Sequence, residues 1–264
     1  MANAGLSFVN YIDTAVISAS EELETLPFEL VRSPHLLEVW MSDPATLSTA
    51  WSWSADLITA RPIKIIGVFN INSTPTATWR LKLSNVAAGS AEVLDSGVVA
   101  VAAKVVADER QQSTMYLPAA PSARFVHLDF SDPALGVGNP MTAGGWWVGD
   151  LWQPSFNLSF GVQQRLVDPS PVSYSHGGQA FVELRDKYRQ ADFSLDYLTE
   201  TEAKGVIRTI DNRAGIGRNL LYVEQPGGTY QTEDTILGLF KELNPTAHAR
   251  VNQFSRRFSV VERL

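Results

Sequence analysis

The sequence predicts a mainly β protein, in which an antiparallel β-sandwich is followed by a smaller, β-rich α+β domain. Short strand-like segments, separated by turn residues, recur about every ten residues through residues 1–165, a spacing typical of sandwiches. An aromatic, glycine-rich stretch at residues 142–161 closes that part of the chain. Beyond it, further strand-like segments surround one helical pattern near residues 200–214, which indicates a second domain.

The N-terminal region combines strand-like and acidic segments. Leu6–Ile12 is the first predicted strand, and Ser18–Pro27 is predicted as an acidic, turn-rich arm. Phe28–Met41 carries apolar residues at alternate positions, which predicts a strand interrupted at Ser33-Pro34.

The central region contains clear alternation. Ile63–Asn70, Thr76–Ser84 and Ala123–Phe130 are predicted strands. In Thr76–Ser84, large apolar residues alternate with polar ones, so one face is expected to be buried and the other solvated. The residues expected on the buried face are Trp79, Leu81 and Leu83, and those on the solvated face are Arg80 and Lys82. Val98–Val106 fits either a strand or a buried helix, because periodicity does not decide between them.

The stretch at residues 142–161 holds three tryptophans, Trp146, Trp147 and Trp152, between glycines and a turn at Pro154. Glycine leaves room for indole rings to lie against the main chain. An aromatic strand of this kind can close the edge or corner of a sandwich, so core packing is the main interpretation. A ligand site is the alternative.

The second domain is predicted to span residues 166–264. Asp168–Gly178 reads as an exposed, proline- and glycine-rich connection. Thr199 and Glu202 have the spacing of a helix capping box, and Gly215 is predicted to end the helix. The segments predicted to contain strands are Gln179–Leu198, Asn219–Val223, Ile236–Leu243 and Phe254–Glu262.

Composition limits the possible partners. The formal net charge of −7 argues against nucleic acid and anionic lipid, since both require a basic surface. The chain has no cysteine, and its four histidines are not at the spacing of metal ligands, so no metal and no cofactor are predicted. The N-terminus lacks a secretory pattern and no apolar run is long enough to span a bilayer, so membrane insertion is not expected.

The sequence offers no convincing catalytic set. Two acidic pairs, Asp192 with Asp196 and Glu200 with Glu202, are explained by a solvated strand face and by favourable interaction with a helix dipole. The strained Gly-x-Ser-x-Gly turn of many hydrolases is absent around Ser175. We therefore predict no catalytic residue and no enzymatic activity.

The strongest ligand candidates are aromatic residues near a carboxylate. Sugar rings stack on exposed indoles, and loops at one end of a sandwich often hold such sites. The candidate carbohydrate-binding residues are Trp51, Trp53, Asp56, Trp146 and Trp147. The alternative, that most of the tryptophans are core residues, stays open at this point.

Several short motifs carry a family resemblance. They are Ser54-Ala55-Asp56, Phe69-Asn70, Trp79-Arg80, Asp95-Ser96-Gly97 and the run from Trp147 to Asn157. Over roughly residues 30–165 the sequence resembles a group of tailed-bacteriophage virion proteins, in which a galactose-binding-like jelly roll carries a G-x-x-W-x-P-x-x-N pattern. More loosely, the C-terminal part is similar to segments of tail-tip and baseplate proteins. The segments concerned are Arg185, Tyr197–Glu200 and Asn219–Val223.

The resemblance implies a structural component of a phage virion, at the distal tail or baseplate. Its expected partners are copies of itself, as a homo-oligomer, and other tail proteins. Its expected location is the phage particle, after assembly in the host cytoplasm. The alternative is a carbohydrate-binding module that contacts a glycan of the host cell surface.

Overall fold

The computed structural model describes residues 2–46, 48–101, 104–105, 111–250 and 252–263. Every strand pairing in these ranges is antiparallel, and the mainly β fold class is confirmed. The strands up to residue 149 are β1 (Gly5–Ser7), β2 (Val16–Ala19), β3 (Trp40–Met41), β4 (Ala50–Pro62), β5 (Ile65–Ile71), β6 (Thr78–Ser84), β7 (Leu94–Asp95), β8 (Val99–Ala100), β9 (Lys104–Val105), β10 (Gln111–Tyr116), β11 (Ser122–Ser131) and β12 (Thr142–Gly149). The later strands are β13 (Gln163–Val167), β14 (Val172–Tyr174), β15 (Ala180–Val182), β16 (Tyr188–Leu198), β17 (Leu220–Val223), β18 (Ile236–Phe240), β19 (Ala247–Arg250) and β20 (Gln253–Glu262).

Helices are short and few in the described ranges. Two are α-helical, α1 (Ile207–Arg213) and α2 (Gln231–Asp234), and a π-helical turn precedes α1. The π-helical turn is Glu202–Val206, and the 3₁₀ helices are Tyr11–Thr14, Phe28–Arg32, Pro44–Thr46 and Pro133–Leu135.

Two sheets form the predicted sandwich. Sheet I has the strand order β2-β4-β11-β6-β7, with β8 also paired to β6, and sheet II has the order β3-β12-β5-β10-β9. Their facing side chains build one apolar core, in which Trp53 and Leu81 of sheet I meet Val68 and Trp146 of sheet II. The alternation predicted for β6 is confirmed, since its three large apolar side chains are buried and its two cations are not.

Phe28–Met41 differs from its prediction as an interrupted strand. Residues Phe28–Arg32 form a 3₁₀ helix, and only Trp40–Met41 pairs as a strand. The ring of Phe28 lies 5.2 Å from that of Trp53 and 6.0 Å from that of Trp146, between the two sheets. Burial of Phe28 therefore decides the local backbone, and the apparent period-two pattern was misleading here.

Sheet III contains the C-terminal strands and one strand from the N-terminus. Its order is β1-β17-β18-β20-β16-β13, with β19 paired to β20. Strand β1 pairs with β17, so residues 5–7 belong to the same sheet as residues 220–223. The division of the chain into domains at residues 165 and 166 stays a prediction, although the N-terminal strand crosses it.

Sheet II is covered on both of its faces. Along β5, Ile66 and Val68 face the sandwich core, whereas Ile65 and Phe69 join a second apolar cluster with Leu221 of sheet III. A strand buried on both faces has a nearly continuous apolar sequence, as β5 does. Sheet II is therefore the middle layer between sheets I and III.

The α1 region confirms the predicted capping box. The hydroxyl of Thr199 donates to the Glu202 carboxylate at 2.8 Å, and the amide of Glu202 donates back to that hydroxyl at 3.3 Å. Desolvation opposes ionisation of Glu202, but hydrogen bonds from Thr199 and Ser155 outweigh it and lower its pKa. At the other end Gly215 has a φ of 53°, as predicted for the residue that stops the helix. Helical spacing also predicts one inward face of Ala203, Val206 or Ile207, Ile210 and Ala214. Ala203, Ile207, Ile210 and Ala214 are buried, whereas Val206 is half-buried.

We expect Thr199→Ala to lower the free energy of unfolding by about 1 kcal/mol, the usual cost of losing an N-terminal cap. Chemical denaturation followed by far-UV circular dichroism measures this change. Thr201→Ala is the matched control, because Thr201 is exposed and makes no capping hydrogen bond. Equal stability of the two variants would show that the capping box does not stabilise the helix.

Candidate functional site

A cleft of about 600 Å³ opens at the junction of sheets II and III. It lies beside the apolar cluster that joins the two sheets, and it shares Leu36, Phe69, Trp147 and Leu237 with that cluster. The rest of its wall comes from segments far apart in sequence: residues 8–14, residues 31–36, the end of β4 and the loop after α1. This volume is in the usual range for a small-ligand site.

Four arginines border the cleft, and only one carboxylate does. Arg32 and Arg61 are half-buried, whereas Arg213 and Arg218 are exposed. Their only facing acid among the lining residues is Asp13. Among the residues that the structure describes, none of the four guanidinium groups forms an ion pair. The cleft is therefore a locally cationic site in an acidic protein.

Asp13 lies inside this cationic surrounding. Desolvation raises the pKa of its carboxyl group, while a hydrogen bond from Asn10 and the charges of Arg32 and Arg218 act in the opposite direction. The residue keeps solvent access through the mouth of the cleft, yet the cleft walls displace much of the water around the carboxyl. The net shift is upward, so the structure favours a neutral Asp13 more than water does.

Asn10 fixes the N-terminal wall of the cleft. Its Nδ2 donates to the carbonyl of Trp146 at 2.9 Å and to the Asp13 carboxylate at 3.0 Å. Its Oδ1 accepts from the amides of Val148 at 3.0 Å and Ile12 at 3.2 Å. Both ends of the amide are thus occupied, and Asn10 positions Asp13 while it holds the first 3₁₀ helix on strand β12.

A close backbone contact fixes the opposite wall. The loop at Leu36 lies directly against Gly144 of β12, where a Cβ atom would be 2.0 Å from the Leu36 carbonyl oxygen. The same carbonyl accepts a hydrogen bond of 2.6 Å from Nδ2 of Asn70. Only glycine permits this approach, and the room that Gly144 leaves is occupied by the Leu36 carbonyl rather than by an indole ring.

Three residues at the cleft carry a buried polar atom without a hydrogen-bond partner in the described structure. These atoms are Nε of Arg32, Oδ1 of Asn219 and Nε1 of Trp146. Nδ2 of Asn219, by contrast, donates to the carbonyl of Pro34 at 3.2 Å. Buried polar atoms without partners are uncommon and costly, and they often mark sites completed by water or a ligand.

The structure places the four predicted sugar-binding tryptophans in the protein interior. Trp51, Trp53, Trp146 and Trp147 are exposed by 3%, 0%, 1% and 3%. Stacking on a sugar requires an open ring face, whereas Trp53 and Trp146 contact each other at 5.6 Å and Nε1 of Trp147 donates to Ser7. Carbohydrate binding by these residues stays a prediction. Their indoles are packed in the core, as the alternative interpretation expects.

The fifth predicted residue, Asp56, lies on sheet I. It forms a bidentate ion pair with Arg124, at 2.7 Å for each contact. The hydrogen bond from this guanidinium lowers the pKa of Asp56 despite some desolvation. Asp56 is not among the residues of the cleft, whereas Trp146 and Trp147 border it. The structure thus places two of the five candidate residues, Trp146 and Trp147, at the cleft.

Three of the four acidic residues weighed in the sequence have side-chain partners. Glu202 belongs to the capping box, Glu200 forms an ion pair with Lys204, and Asp192 faces Arg165 at 3.7 Å. In the described ranges, no group of three or more His, Cys, Asp or Glu side chains is placed to hold a metal ion. None of the described helices is both long enough and apolar enough to cross a membrane.

The arginines of the cleft were not predicted from the sequence. They come from three separate segments, and no spacing pattern connects Arg32 or Arg61 to the pair near α1. The only local signal was Gly215 and Gly217 between Arg213 and Arg218, which indicates a tight loop that exposes both cations.

No protein-family model matches the chain, and no curated protein matches it. Among solved structures it is similar to a fucose-binding module of Streptococcus pneumoniae, with 10% identity over 54% of this chain and 98% of that chain, at a TM-score of 0.39. It is also similar to a family 32 carbohydrate-binding module from C. perfringens in complex with galactose, with 15% identity, 55% and 99% coverage and a TM-score of 0.38. A Ruminococcus gnavus fucosidase matches at 9% identity over 54% of this chain and 26% of that chain, with a TM-score of 0.40. At these scores the likeness does not identify a ligand for this chain.

We expect Gly144→Ala to lower the free energy of unfolding by about 3 kcal/mol, because the added methyl group would overlap the Leu36 carbonyl. Urea denaturation monitored by tryptophan fluorescence measures the loss. The control is Gly205→Ala, where a Cβ atom meets nothing within 4 Å. This second variant should be as stable as the wild type or more stable by up to about 1 kcal/mol. Similar stability of both variants would show that the contact at Leu36 is looser than described.

Proposed function

We propose that this chain is a non-catalytic carbohydrate-binding protein and that its ligand occupies the cleft between sheets II and III. The observation that carries the proposal is the cleft itself, an open site of about 600 Å³ with apolar walls and several polar side chains. Such a site has room for one or two sugar rings. We thus keep carbohydrate as the ligand, and we place its binding site in the cleft rather than on the indole faces.

The chemistry of the cleft fits a polar, ring-shaped ligand. Sugars present hydroxyl groups at their edges and C–H groups on their ring faces, so a binding site needs hydrogen-bonding groups beside apolar surface. Phe8 and Leu237 supply apolar surface, and the arginines and Asn219 supply donors and an acceptor. Asn219 borders the cleft, and its Oδ1 has no hydrogen-bond partner in the described structure.

Filling the cleft tests this proposal. Gly217 borders it, and a Cβ atom at this position meets nothing within 4 Å, so Gly217→Trp should fold normally. We expect the indole to occupy ligand space and to weaken binding at least about tenfold for the best-binding sugar of a glycan array. Isothermal titration calorimetry measures the affinity.

The matched control is Gly205→Trp, at an exposed position outside the cleft that also has no neighbour within 4 Å of a Cβ atom. It should bind like the wild type. If the wild type binds glycans and Gly217→Trp binds them equally well, the ligand lies elsewhere. Absence of binding by the wild type to the whole array would contradict carbohydrate binding altogether.

The second candidate function is assembly with other copies or other virion proteins, as the phage resemblance implies. The feature that favours it is a hairpin formed by β14 and β15, which pair with each other and with no other strand described. Directly paired residues share a face, and Val172 with Val182 and Tyr174 with Ala180 give one face a strongly apolar character. Tyr174 is 71% exposed.

This hairpin has little intrinsic support. An isolated two-stranded hairpin is marginally stable in water, so an apolar face on one favours packing against a neighbour. Its first strand, β14, lies in the segment predicted to be an exposed connection, Asp168–Gly178, and β15 lies in the segment predicted to contain strands, Gln179–Leu198. If the protein assembles with other copies or other proteins, this hairpin is the part of the chain that contacts the neighbour.

For the assembly role we expect a double variant, Tyr174→Ser with Val182→Ser, to abolish concentration-dependent oligomers in sedimentation velocity without changing the thermal midpoint. Polar side chains on the hairpin face remove the apolar area that association would bury. Val86→Ser with Val98→Ser is the control, because these residues are exposed valines outside the hairpin. A wild-type protein that remains monomeric at all concentrations would count against self-assembly.

A further inference from the structure

We infer that the cleft selects a carbohydrate carrying a negatively charged group, such as the carboxylate of a uronic acid or a sugar phosphate. This inference rests on the proposed function, because it names the class of sugar that the same cleft would take. It is carried by the arginines, whose guanidinium groups form no ion pair among the described residues and face a single carboxylate, that of Asp13.

The first step is the local charge. The whole chain has a formal net charge of −7, yet the cleft is bordered by four arginines and a single aspartate. Like charges near each other are unfavourable unless something compensates them. A concave site with walls of low polarity also focuses the electric field and raises the local concentration of an oppositely charged ligand.

The second step is the bonding capacity of the guanidinium groups. One nitrogen of Arg32 donates to the carbonyl of Ala15, but its buried Nε has no partner. Arg61 lies over the ring of Tyr11, with 5.1 Å from its Cζ to the ring centroid. No hydrogen bond to a protein acceptor occupies the side chains of Arg213 and Arg218 in the described structure. Arginine suits carboxylate and phosphate because its planar group donates two parallel hydrogen bonds.

The third step concerns Asp13, the one acid in the cleft. An ionised Asp13 repels an anionic ligand and competes with it for Arg32 and Arg218, whereas a neutral Asp13 does neither. Its pKa is raised above the ordinary value of 3.8, so protonation of Asp13 begins at a higher pH than in water. The groups that face it are Asn10 on its own segment, Arg32 from the second 3₁₀ helix and Arg218 from the loop after α1. Affinity for an ionised ligand should therefore rise as the pH falls through the pKa of Asp13.

The test compares four probes by isothermal titration calorimetry on the full chain at low ionic strength. The probes are methyl β-glucuronide, glucose 6-phosphate, methyl β-glucoside and inorganic phosphate. We expect at least one of the two acidic sugars to bind about tenfold or more tightly than the neutral glucoside, since hydrogen bonds to charged groups are the stronger ones. Their affinity should fall with added salt, because screening weakens charge interactions.

Two variants connect the preference to the cleft. Arg213→Met with Arg218→Met should remove the preference for the acidic sugar, and both residues are exposed, so folding should be retained. Arg208→Met is the matched control, since Arg208 is an exposed arginine of α1 outside the cleft. Asp13→Asn should increase the affinity for methyl β-glucuronide near neutral pH and remove the part of its pH dependence that comes from Asp13.

The outcomes separate this inference from the proposed function. Equal affinity for the neutral and acidic sugars overturns the charge selection and leaves carbohydrate binding in place. An acidic preference that survives in the double arginine variant places the selection elsewhere and also overturns the inference. Inorganic phosphate that binds as tightly as the acidic sugars would show an anion site that does not recognise the sugar. If none of the four probes and no glycan of the array binds, the proposed function fails with it.

Discussion

The architecture depends on the burial of sheet II on both faces. Strands β5 and β12 send alternate side chains into two separate apolar clusters, one shared with sheet I and one shared with sheet III. Burial of apolar side chains stabilises at about 1.5–3 kcal/mol for each large residue. A middle strand that contributes to two clusters therefore couples the sandwich to the C-terminal sheet. Polar contacts add to the junction, where Nε2 of Gln112 donates to the carbonyl of Thr235 at 2.8 Å.

The cleft is a consequence of this layered arrangement. Sheets II and III meet through an apolar cluster, and the cleft beside it is bordered by Asn10 and by the loop at Leu36. Gly144 lets the loop approach the middle sheet without a side chain between them. The loop after α1 then brings Arg213 and Arg218 to the opening. Hydrogen bonds of Asn10 hold one wall, and the backbone contact between Leu36 and Gly144 holds the other. Neither wall depends on apolar packing, so the space between them stays open.

The sequence predicted the elements whose patterns are local. The alternation at Trp79–Leu83 and the capping box at Thr199 both depend on neighbours a few residues away, and both are confirmed. The 3₁₀ helix at Phe28–Arg32 was missed, because the aromatic contacts that decide it come from strands distant in sequence. The cleft was missed for the same reason, since its cations are separated by up to 186 residues and meet only after the sheets pack.

The burial of the tryptophans is a property of the packed structure that composition alone does not predict. A tryptophan that fills a core gives up its ring faces to other side chains, as Trp53 does against Phe28, Trp40 and Trp146. It cannot also offer a face to a sugar without leaving that core. Aromatic residues in this chain therefore pack the scaffold, and the proposed function assigns recognition to residues that the scaffold does not need for packing. The exposed arginines near α1 meet that condition, because they carry charge and hydrogen-bonding groups that no described neighbour uses. The inferred selection of ligands by charge rather than by stacking would then depend on these arginines, which border the cleft.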